Sequence, residues 1–505
     1  MGKYDVIVVG GGLGGLTAGA KLAKDGRKVL LLEQHKIPGG CATTFRRKDY
    51  IMEVGLHAMD GLDEQDPKRK IFEDLGVFDH VQFIKTGEFY RIINKKLDIT
   101  IPNSTQDAIK ILIKKFPNES KGIKKFFKVI HAIRKEIVSL PMERWKTACL
   151  LPIFPLIYPN LFFYTFKTVG EFVDSIITNE DLKLVLLANI FYYHDDPYSM
   201  SLIYFSAAQA SYFSGGTHYI KGGSQKLSDY LAKVIERNNG KIILNHVATK
   251  IITKGKKAVG VMYKDTSGKE YTSYAKVIIA NVAIPNIVSL LDEKNSLLIE
   301  KKINNILKSC SLLSVYIGFK REIKEVGSEN YSIFMLHESV KKISSLKKNF
   351  QEKFSKRSFF FVDYSQIDSG LAPKGKSVGV ICVADYFSDW KSLSEEEYKR
   401  KKVETAHLLF RRLEQRFPGI SNAIEWYEVG TPKTIQRYTL NPEGSVYGFA
   451  QLPKQAGIFR LPNKSPIKNF YFASAWTNPG GGFTGAIVSG WFCANEVTKA
   501  LGRFS

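Results

Sequence analysis

Residues 4–33, YDVIVVGGGLGGLTAGAKLAKDGRKVLLLE, constrain the fold more than any other part of the chain. An apolar run, Val6 to Val9, stops at Gly10, and Gly10, Gly12 and Gly15 stand at G-x-G-x-x-G spacing. Leu16, Ala20 and Ala23 then share one face of a helical pattern, and a second apolar run, Val29 to Leu32, ends at Glu33. Strand, glycine turn, helix, strand and acid in this order predict a parallel βαβ unit that binds a dinucleotide. Gly10 permits the tight turn, Gly12 lets backbone approach a pyrophosphate, and Gly15 lets the helix pack closely on the strand. The helix start offers free N–H groups and a partial positive charge to phosphates. Glu33 is placed to accept hydrogen bonds from both ribose hydroxyls.

The next residues, QHKIPGGCATTF, narrow the choice of dinucleotide. Gly39 and Gly40 form a second backbone-rich turn just past the ribose-binding acid. A simple nicotinamide dehydrogenase has no need of one here. The stretch resembles that of flavoproteins of the glutathione-reductase superclass. Thr43 and Thr44 would add hydroxyl donors near the diphosphate or ribityl chain.

The chain of 505 residues is long enough for two or three domains and a large core. A mean hydropathy of -0.13 indicates a soluble-type globular fold. Cys41, Cys149, Cys310, Cys382 and Cys493 contain no CxxC pair, which points to neither a disulfide framework nor a zinc site and fits a reducing compartment. With a strand beginning by Tyr4, no signal peptide is expected, and a cytoplasmic location follows. The net charge is +24, and lysines crowd residues 110–135. A solvated lysine-rich face and attraction to anionic lipid headgroups both account for this. No recognition motif accompanies the charge, so nucleic acid is not an expected partner. Residues 148–166, ACLLPIFPLIYPNLFFYTF, are strongly apolar, but Pro152, Pro155 and Pro159 break any continuous helix. A spanning helix needs about 20 apolar residues. The stretch therefore reads as a patch dipping into one leaflet, a greasy tunnel mouth or a buried core segment.

Nucleotide-type patterning returns twice. Residues 215–285 give a glycine turn at Gly222-Gly223, a helix from Ser224 to Glu236, and short β runs at Lys241–Leu244, Val247–Ile252, Ala258–Tyr263 and Ala275–Ile279. The tail, NFYFASAWTNPGGGFTGAIVSGWFCANEVTKAL, reads as strand, glycine loop and helix. The expected fold is α/β: a discontinuous Rossmann-like FAD-binding domain (1–60, 215–290 and 431–505) with a mixed α+β substrate domain inserted (61–214 and 291–430).

In order, the motifs VVGGGLGGLTAG…LLLEQHKIPGG, EVGLH at 53–57, YIKGGSQKLSDYL, TPKTIQRYTLNPEGSVYG at 431–448 and FASAWTNPGGGFTGAIVSG resemble the phytoene desaturase group of flavin amine-oxidase-fold proteins. The carotenoid cis–trans isomerase and retinol saturase branch is the most similar part of that group. The resemblance implies FAD, a two-domain fold, a long apolar polyene or isoprenoid substrate and peripheral membrane association. Carried over by position, Gly10, Gly12, Gly15, Glu33, Gly39 and Gly40 match the adenosine-diphosphate site, and Val247 the residue that pins adenine through its backbone. Gly480 to Gly482 with Thr484 and Gly485 match the segment beside the flavin ring, where a helix N-terminus stabilises negative charge. The chain departs from relatives at Cys41, where many carry arginine, and at Ser474-Ala475, where isomerases often carry Gly-Asp. The Ser-Asn-Ala-Asp run of the family stands here as Ala280-Asn281-Val282-Ala283.

Neither a metal constellation nor a G-x-S-x-G elbow occurs, so the flavin is expected to carry the chemistry while protein orients the reactants. Candidate proton handlers are Glu53, His57, Arg437, Tyr438 and Tyr447. A carboxylate in an apolar tunnel would have a raised pKa and could donate a proton. With a single glycine fingerprint, no dedicated nicotinamide domain is expected. The electron partner is a quinone, oxygen or another carrier, and direct docking of a reduced nicotinamide stays open. Two other functions compete: a flavin amine oxidase, and a non-enzymatic prenyl-lipid carrier with the fold of the GDP-dissociation inhibitors.

Overall fold

The computed structural model describes residues 4–141 and 149–502. Tyr4–Val9 lies at the centre of a parallel ladder. Val6 stands opposite Val29 of Val29–Leu32 on one side and Val277 of Glu270–Ala280 on the other. Lys241–Ile243 extends the ladder beyond Val29–Leu32, and Phe470–Phe472 beyond Glu270–Ala280. Strands from the start, middle and end of the chain thus share one sheet. Alternate side chains of a strand face opposite ways. Val6 and Val8 pack among helix residues such as Leu16 and Ala20, while Ile7 and Val9 pack with Ile251, Val261 and Tyr263. Both faces are covered, which is why these strands read as continuous apolar runs.

Helices Leu13–Lys24, Gln225–Arg237 and Gly482–Leu501 cover one face. The other is covered by an antiparallel meander of His246–Lys254, Lys257–Asp265 and the first half of Glu270–Ala280. This last strand is longer than the β run Ala275–Ile279 read from sequence, because its half-exposed first residues carry no apolar signal. The first and last helices cross at glycines. A Cβ on Gly490 would collide with the Gly14 carbonyl, and one on Gly14 with the Ala473 carbonyl.

A second, seven-stranded sheet runs Ile424–Gly430, Ser311–Phe319, Ser377–Asp385, Phe359–Asp363, Ser332–Met335, Glu88–Ile93, Asp98–Pro102. The inserted stretch after residue 61 supplies the last two strands. Helix Glu395–Glu414 buries Leu409, Phe410 and Leu413 against Leu313, Val315 and Ile381 on one face. The opposite face carries Ser314 and Tyr316 towards the interior cavity. Helices Thr105–Lys115, Ser120–Ser139, Val169–Ile176 and Leu202–Gly215 pack together beside it.

The apolar stretch 148–166 begins at Ala148, which lies outside the described residues. From Leu151 it forms three helical turns, Leu151–Ile153, Phe154–Ile157 and Pro159–Tyr164, each with a proline at its start. It is no buried core segment: Leu156 is 83% exposed and Phe163 69%. Among the described residues no helix is long and apolar enough to cross a membrane.

Replacing Gly490 by valine forces the first and last helices apart. The expected loss is about 1–3 kcal/mol of stability, read from urea unfolding, together with loss of bound flavin.

Candidate active site

A single cavity of about 1540 Å³ connects the glycine turns, the interior and the surface. Small-molecule pockets usually measure about 300–1,000 Å³, so this one has room for two ligands. Its polar end is built by the first βαβ unit. Gly10 has φ of +97°, and a Cβ there would lie 2.5 Å from the Asn281 carbonyl oxygen. The Asn281 amide in turn donates to the Gly10 carbonyl at 3.1 Å. Gly12 caps helix Leu13–Lys24 without any side-chain hydrogen bond, and no acid stands in the first turn. The helix start therefore faces the cavity with donors left for an anion. Gly12 bridges to Gly39, and the Gly39 N–H donates to the Gly11 carbonyl at 2.7 Å.

Glu33 is buried beside this turn. Its Oε2 accepts from the Gly11 N–H at 2.6 Å and its Oε1 from the His35 N–H at 2.8 Å. Each oxygen keeps a lone pair for a hydroxyl. Val247 follows His246, whose N–H donates to the Glu33 carbonyl, and lines the same end. Gly40 lines it too, whereas Gly15 sits behind, where any Cβ would collide with the Gly10 carbonyl. Thr43 turns away: its hydroxyl donates to the Gly40 carbonyl at 3.1 Å and closes the turn. Thr44 packs its methyl against Gly223.

The tail glycines lie further along. Gly482, Thr484 and Gly485 line the cavity at the start of helix Gly482–Leu501, and Gly480 packs behind against Gln451. Ser474 and Ala475 reach the cavity without a carboxylate, but the Ala475 carbonyl accepts from buried Arg460 at 2.9 Å. Burial lowers the Arg460 pKa to about 10. Thr484 donates to Asp60 at 2.5 Å, and Asp60 lies 3.5 Å from the fully buried Lys68 ammonium, which also meets Asp66 at 2.7 Å. Burial alone would lower the Lys68 pKa, but attraction to Asp60 and Asp66 overrides it and holds it raised. Asp60, Lys68 and Arg460 escape a sequence reading because each stands outside any motif. The one available signal was Asp66-Pro67, a helix start that places Lys68 in the first turn.

Beyond the tail glycines the wall is aromatic. Tyr192, Tyr193, Tyr204, Tyr212, Tyr316 and Tyr447 line it. Several spend their hydroxyls on main-chain carbonyls: Tyr204 on Gly481, Tyr212 on Ala58 and Tyr447 on Phe191. They therefore present ring faces to the space. Burial raises the pKa of all six, so they stay neutral.

His57 belongs to this chamber, stacked on Tyr192 and edge-on to Phe360. The Tyr364 hydroxyl donates to the Leu56 carbonyl at 2.9 Å, so at 3.2 Å it accepts from His57 Nδ1–H. This assignment from the hydrogen-bond network leaves the lone pair on Nε2, 3.5 Å from the Cys382 thiol. Burial lowers the His57 pKa to about 4.

Of the other proton-handler candidates, Tyr447 lines the chamber with its hydroxyl committed to the Phe191 carbonyl, while Glu53, Arg437 and Tyr438 stand elsewhere. Glu53 is buried outside the cavity lining. It accepts from the Ser224 N–H and hydroxyl, both at 2.7 Å, from Tyr219 at 3.1 Å, and from the Gly55 and Leu56 N–H groups. Burial raises its pKa and these donors oppose the rise. The carboxylate clamps the start of helix Gln225–Arg237 to the loop after Glu53, with no face left for substrate. Arg437 is exposed at the rim and donates to the Tyr438 hydroxyl at 2.6 Å. Tyr438 lines the cavity at its nucleotide end, where its carbonyl meets Gln34 and His35 beside Glu33. Both are remote from the chamber because helix Pro432–Thr439 lies against the Gln34 and His35 end of the cavity. Among the described residues, no three His, Cys, Asp or Glu side chains are grouped to hold a metal ion.

Past the tyrosines the cavity opens between Val138, Leu151, Phe154, Leu161, Ile458 and Phe459, and so reaches the exposed apolar turns. The family model described as "Flavin containing amine oxidoreductase" matches residues 13–498. The chain belongs to this flavin-containing family. Its α/β fold is the Rossmann-like type of that family, with a second, mixed region beside it. Prolycopene isomerase 2 of an Oncidium hybrid cultivar, a chloroplastic protein, is 28% identical over 99% of this chain and 84% of its own length. An all-trans-retinol 13,14-reductase of Danio rerio is 26% identical over 98% of this chain and 86% of its own. A cyclohexylamine oxidase from Brevibacterium oxydans shares the fold, with a TM-score of 0.62 and 14% identity over 99% of both chains. The glycine turns, the uncapped helix start and the half-used Glu33 carboxylate fit the dinucleotide part of a flavin cofactor.

Glu33 and Glu53 separate on substitution. Glu33→Ala is expected to weaken flavin binding about 100-fold, since a charged hydrogen bond is worth about 1.5–3 kcal/mol, and to cost the flavin-free protein about 1–2 kcal/mol because the Gly11 and His35 N–H groups lose their acceptor. Glu53→Gln is expected to cost about 2–3 kcal/mol of stability by leaving buried donors unmatched. Flavin titration and urea unfolding read the two effects.

His57 and His218, whose pKa burial also lowers to about 4, are neutral when folded and protonate more readily when unfolded. Their contribution is present above the usual histidine pKa of 6.5 and is lost as pH falls towards 4. Unfolding free energy should therefore drop over that window, and less steeply in His57→Phe.

Proposed function

We propose that this chain is an FAD-dependent enzyme that isomerises, desaturates or saturates carbon–carbon double bonds of a long apolar polyene or isoprenoid lipid. One observation carries the reading: a single cavity joins a dinucleotide cradle to an aromatic chamber and an apolar passage that opens among exposed hydrophobic turns. A long hydrocarbon fits such a passage, because its burial against ring faces and aliphatic walls releases water along its whole length. The whole-length relatives named for prolycopene and retinol support the same chemical class.

FAD, when bound, supplies hydride exchange with a substrate carbon. The chain's own residues do the rest. The glycine turns and Glu33 hold the nucleotide half. The helix start at Gly482 to Gly485 supplies partial positive charge beside the reacting region. The tyrosine faces exclude water and align the polyene. His57 Nε2, neutral at working pH, accepts or returns a proton within the chamber. Substrate arrives from a membrane with which the protein makes peripheral contact. The electron partner is a quinone, oxygen or reduced nicotinamide whenever the reaction has a net redox change.

The tyrosine-rich chamber favours a second reading, an amine oxidase, whose small cationic substrate would sit among ring faces. The apolar passage speaks for the lipid.

The deciding experiment incubates FAD-loaded protein anaerobically with cis and all-trans polyenes, with the flavin oxidised or pre-reduced, and separates products by chromatography. The expected outcome is a change in double-bond geometry or number that depends on flavin state. Amine-dependent reduction of the flavin with untouched polyenes would replace this reading with an amine oxidase. Protein that stays colourless with excess FAD yet binds prenyl lipid would replace it with a carrier.

A further inference from the structure

Arg460 is a buried cation without an anion. It is 3% exposed and lines the cavity. Its Nη1 donates to the Phe449 carbonyl at 2.8 Å and the Ala450 carbonyl at 3.2 Å, and its Nη2 to the Ala475 carbonyl at 2.9 Å. Its Nε has no partner among the described residues, and no carboxylate of a described residue is among the partners of the other two nitrogens. The two other buried arginines among the described residues are matched: Arg134 meets Asp63 at 2.7 Å, and Arg357 meets Asp385 and Asp389 at 2.7 and 2.8 Å. Carbonyl dipoles orient the Arg460 guanidinium but leave its charge unbalanced, which is costly in a protein interior.

Its neighbours place this charge near the start of helix Gly482–Leu501. Ala475 belongs to the segment that leads from Phe470–Phe472 into that helix. Tyr204 donates its hydroxyl to the carbonyl of Gly481, the residue that caps the helix. The same hydroxyl feels Arg460, which favours its ionised form, and Asp60, which opposes it. Asp60 reaches the helix start directly by accepting from Thr484 at 2.5 Å. Asp60 and Asp66 share the single Lys68 ammonium, so one carboxylate charge of that cluster stays unmatched. A spare positive charge and a spare negative charge thus serve one helix start.

The anion missing from Arg460 must enter with a ligand. The glycine turns and the uncapped start of helix Leu13–Lys24 already suit a diphosphate. The apolar passage suits hydrocarbon. What remains is the flavin ring, which gains negative charge on reduction. We propose that Arg460 is the counter-charge of the reduced flavin ring and that Asp60, held by Lys68 and Thr484, opposes it, so that the two side chains together set how readily the bound ring takes up electrons. Charges fixed in a water-poor cavity act strongly on charge that develops beside them. The proposal rests on the FAD part of the functional reading and not on the lipid.

The test measures the reduction potential of FAD-loaded full-length protein against a reference dye without oxygen. Arg460→Gln is expected to weaken the preference for reduced over oxidised flavin at least tenfold, which lowers the two-electron potential by about 30 mV or more. Arg460→Lys keeps the charge and should restore most of it. Asp60→Asn is expected to shift the potential upward. A role in packing alone would move neither potential or move both the same way, and either result overturns the proposal. Titration with FAD and with riboflavin, which lacks the diphosphate, tests the other place for the anion. If Arg460→Gln weakens FAD binding but leaves riboflavin binding and the potential unchanged, the guanidinium serves the diphosphate and the proposal falls. Should Arg460→Gln fail to fold, one-electron reduction of the unaltered protein decides: the red anionic flavin spectrum is expected, and the blue neutral one overturns the proposal. Protein that takes up no FAD would remove the functional reading itself, whereas FAD-loaded variants with unmoved potentials would remove this inference alone.

Discussion

Backbone touching backbone, with no side chain between, is the constraint on which the structure depends. Gly10 approaches the Asn281 carbonyl, Gly14 the Ala473 carbonyl, and Gly490 the Gly14 carbonyl. These contacts draw together the first strand, the strand that ends at Ala280 and the segment that follows Phe472. A methyl group at any of them would push the segments apart, and the cradle for the dinucleotide would lose its shape. The same closeness leaves the start of helix Leu13–Lys24 without a side-chain cap and facing the cavity. Fold and cofactor recognition therefore come from one steric fact.

The parallel core was legible because burial on both faces writes itself as unbroken apolar runs. Val6 to Val9 and Val29 to Leu32 could hardly be anything else. That Glu33 and the paired glycines would meet at one end of a cavity was legible because their order, strand, glycine turn, helix, strand and acid, brings them together in a parallel βαβ unit. Glu53 looked like a proton donor for an equally physical reason: it is a carboxylate in an apolar setting. Its donors come from Ser224 and Tyr219, more than 160 residues away. No local pattern reveals that they fill its lone pairs. Arg437 and Tyr438 failed similarly, since only the path of helix Pro432–Thr439 decides which end of the cavity they meet.

The chamber itself was almost invisible in the sequence. Its tyrosines come from four separate segments, and a tyrosine reads as amphipathic until its hydroxyl partner is known. Here Tyr204, Tyr212 and Tyr447 tie their polar ends to main-chain carbonyls. What remains facing inward behaves as hydrocarbon with a π surface. The prolines at 152, 155 and 159 were read as breaks in a helix, and they are also the devices that fold an apolar stretch into exposed turns at the mouth.

The crossing of the first and last helices bears on biosynthesis. Leu13–Lys24 leaves the ribosome early, but its glycine-lined flank stays open until Gly482–Leu501 has been made. Until that helix exists the nucleotide cradle is incomplete, so cofactor capture follows the synthesis of Gly482–Leu501 rather than seeding the fold.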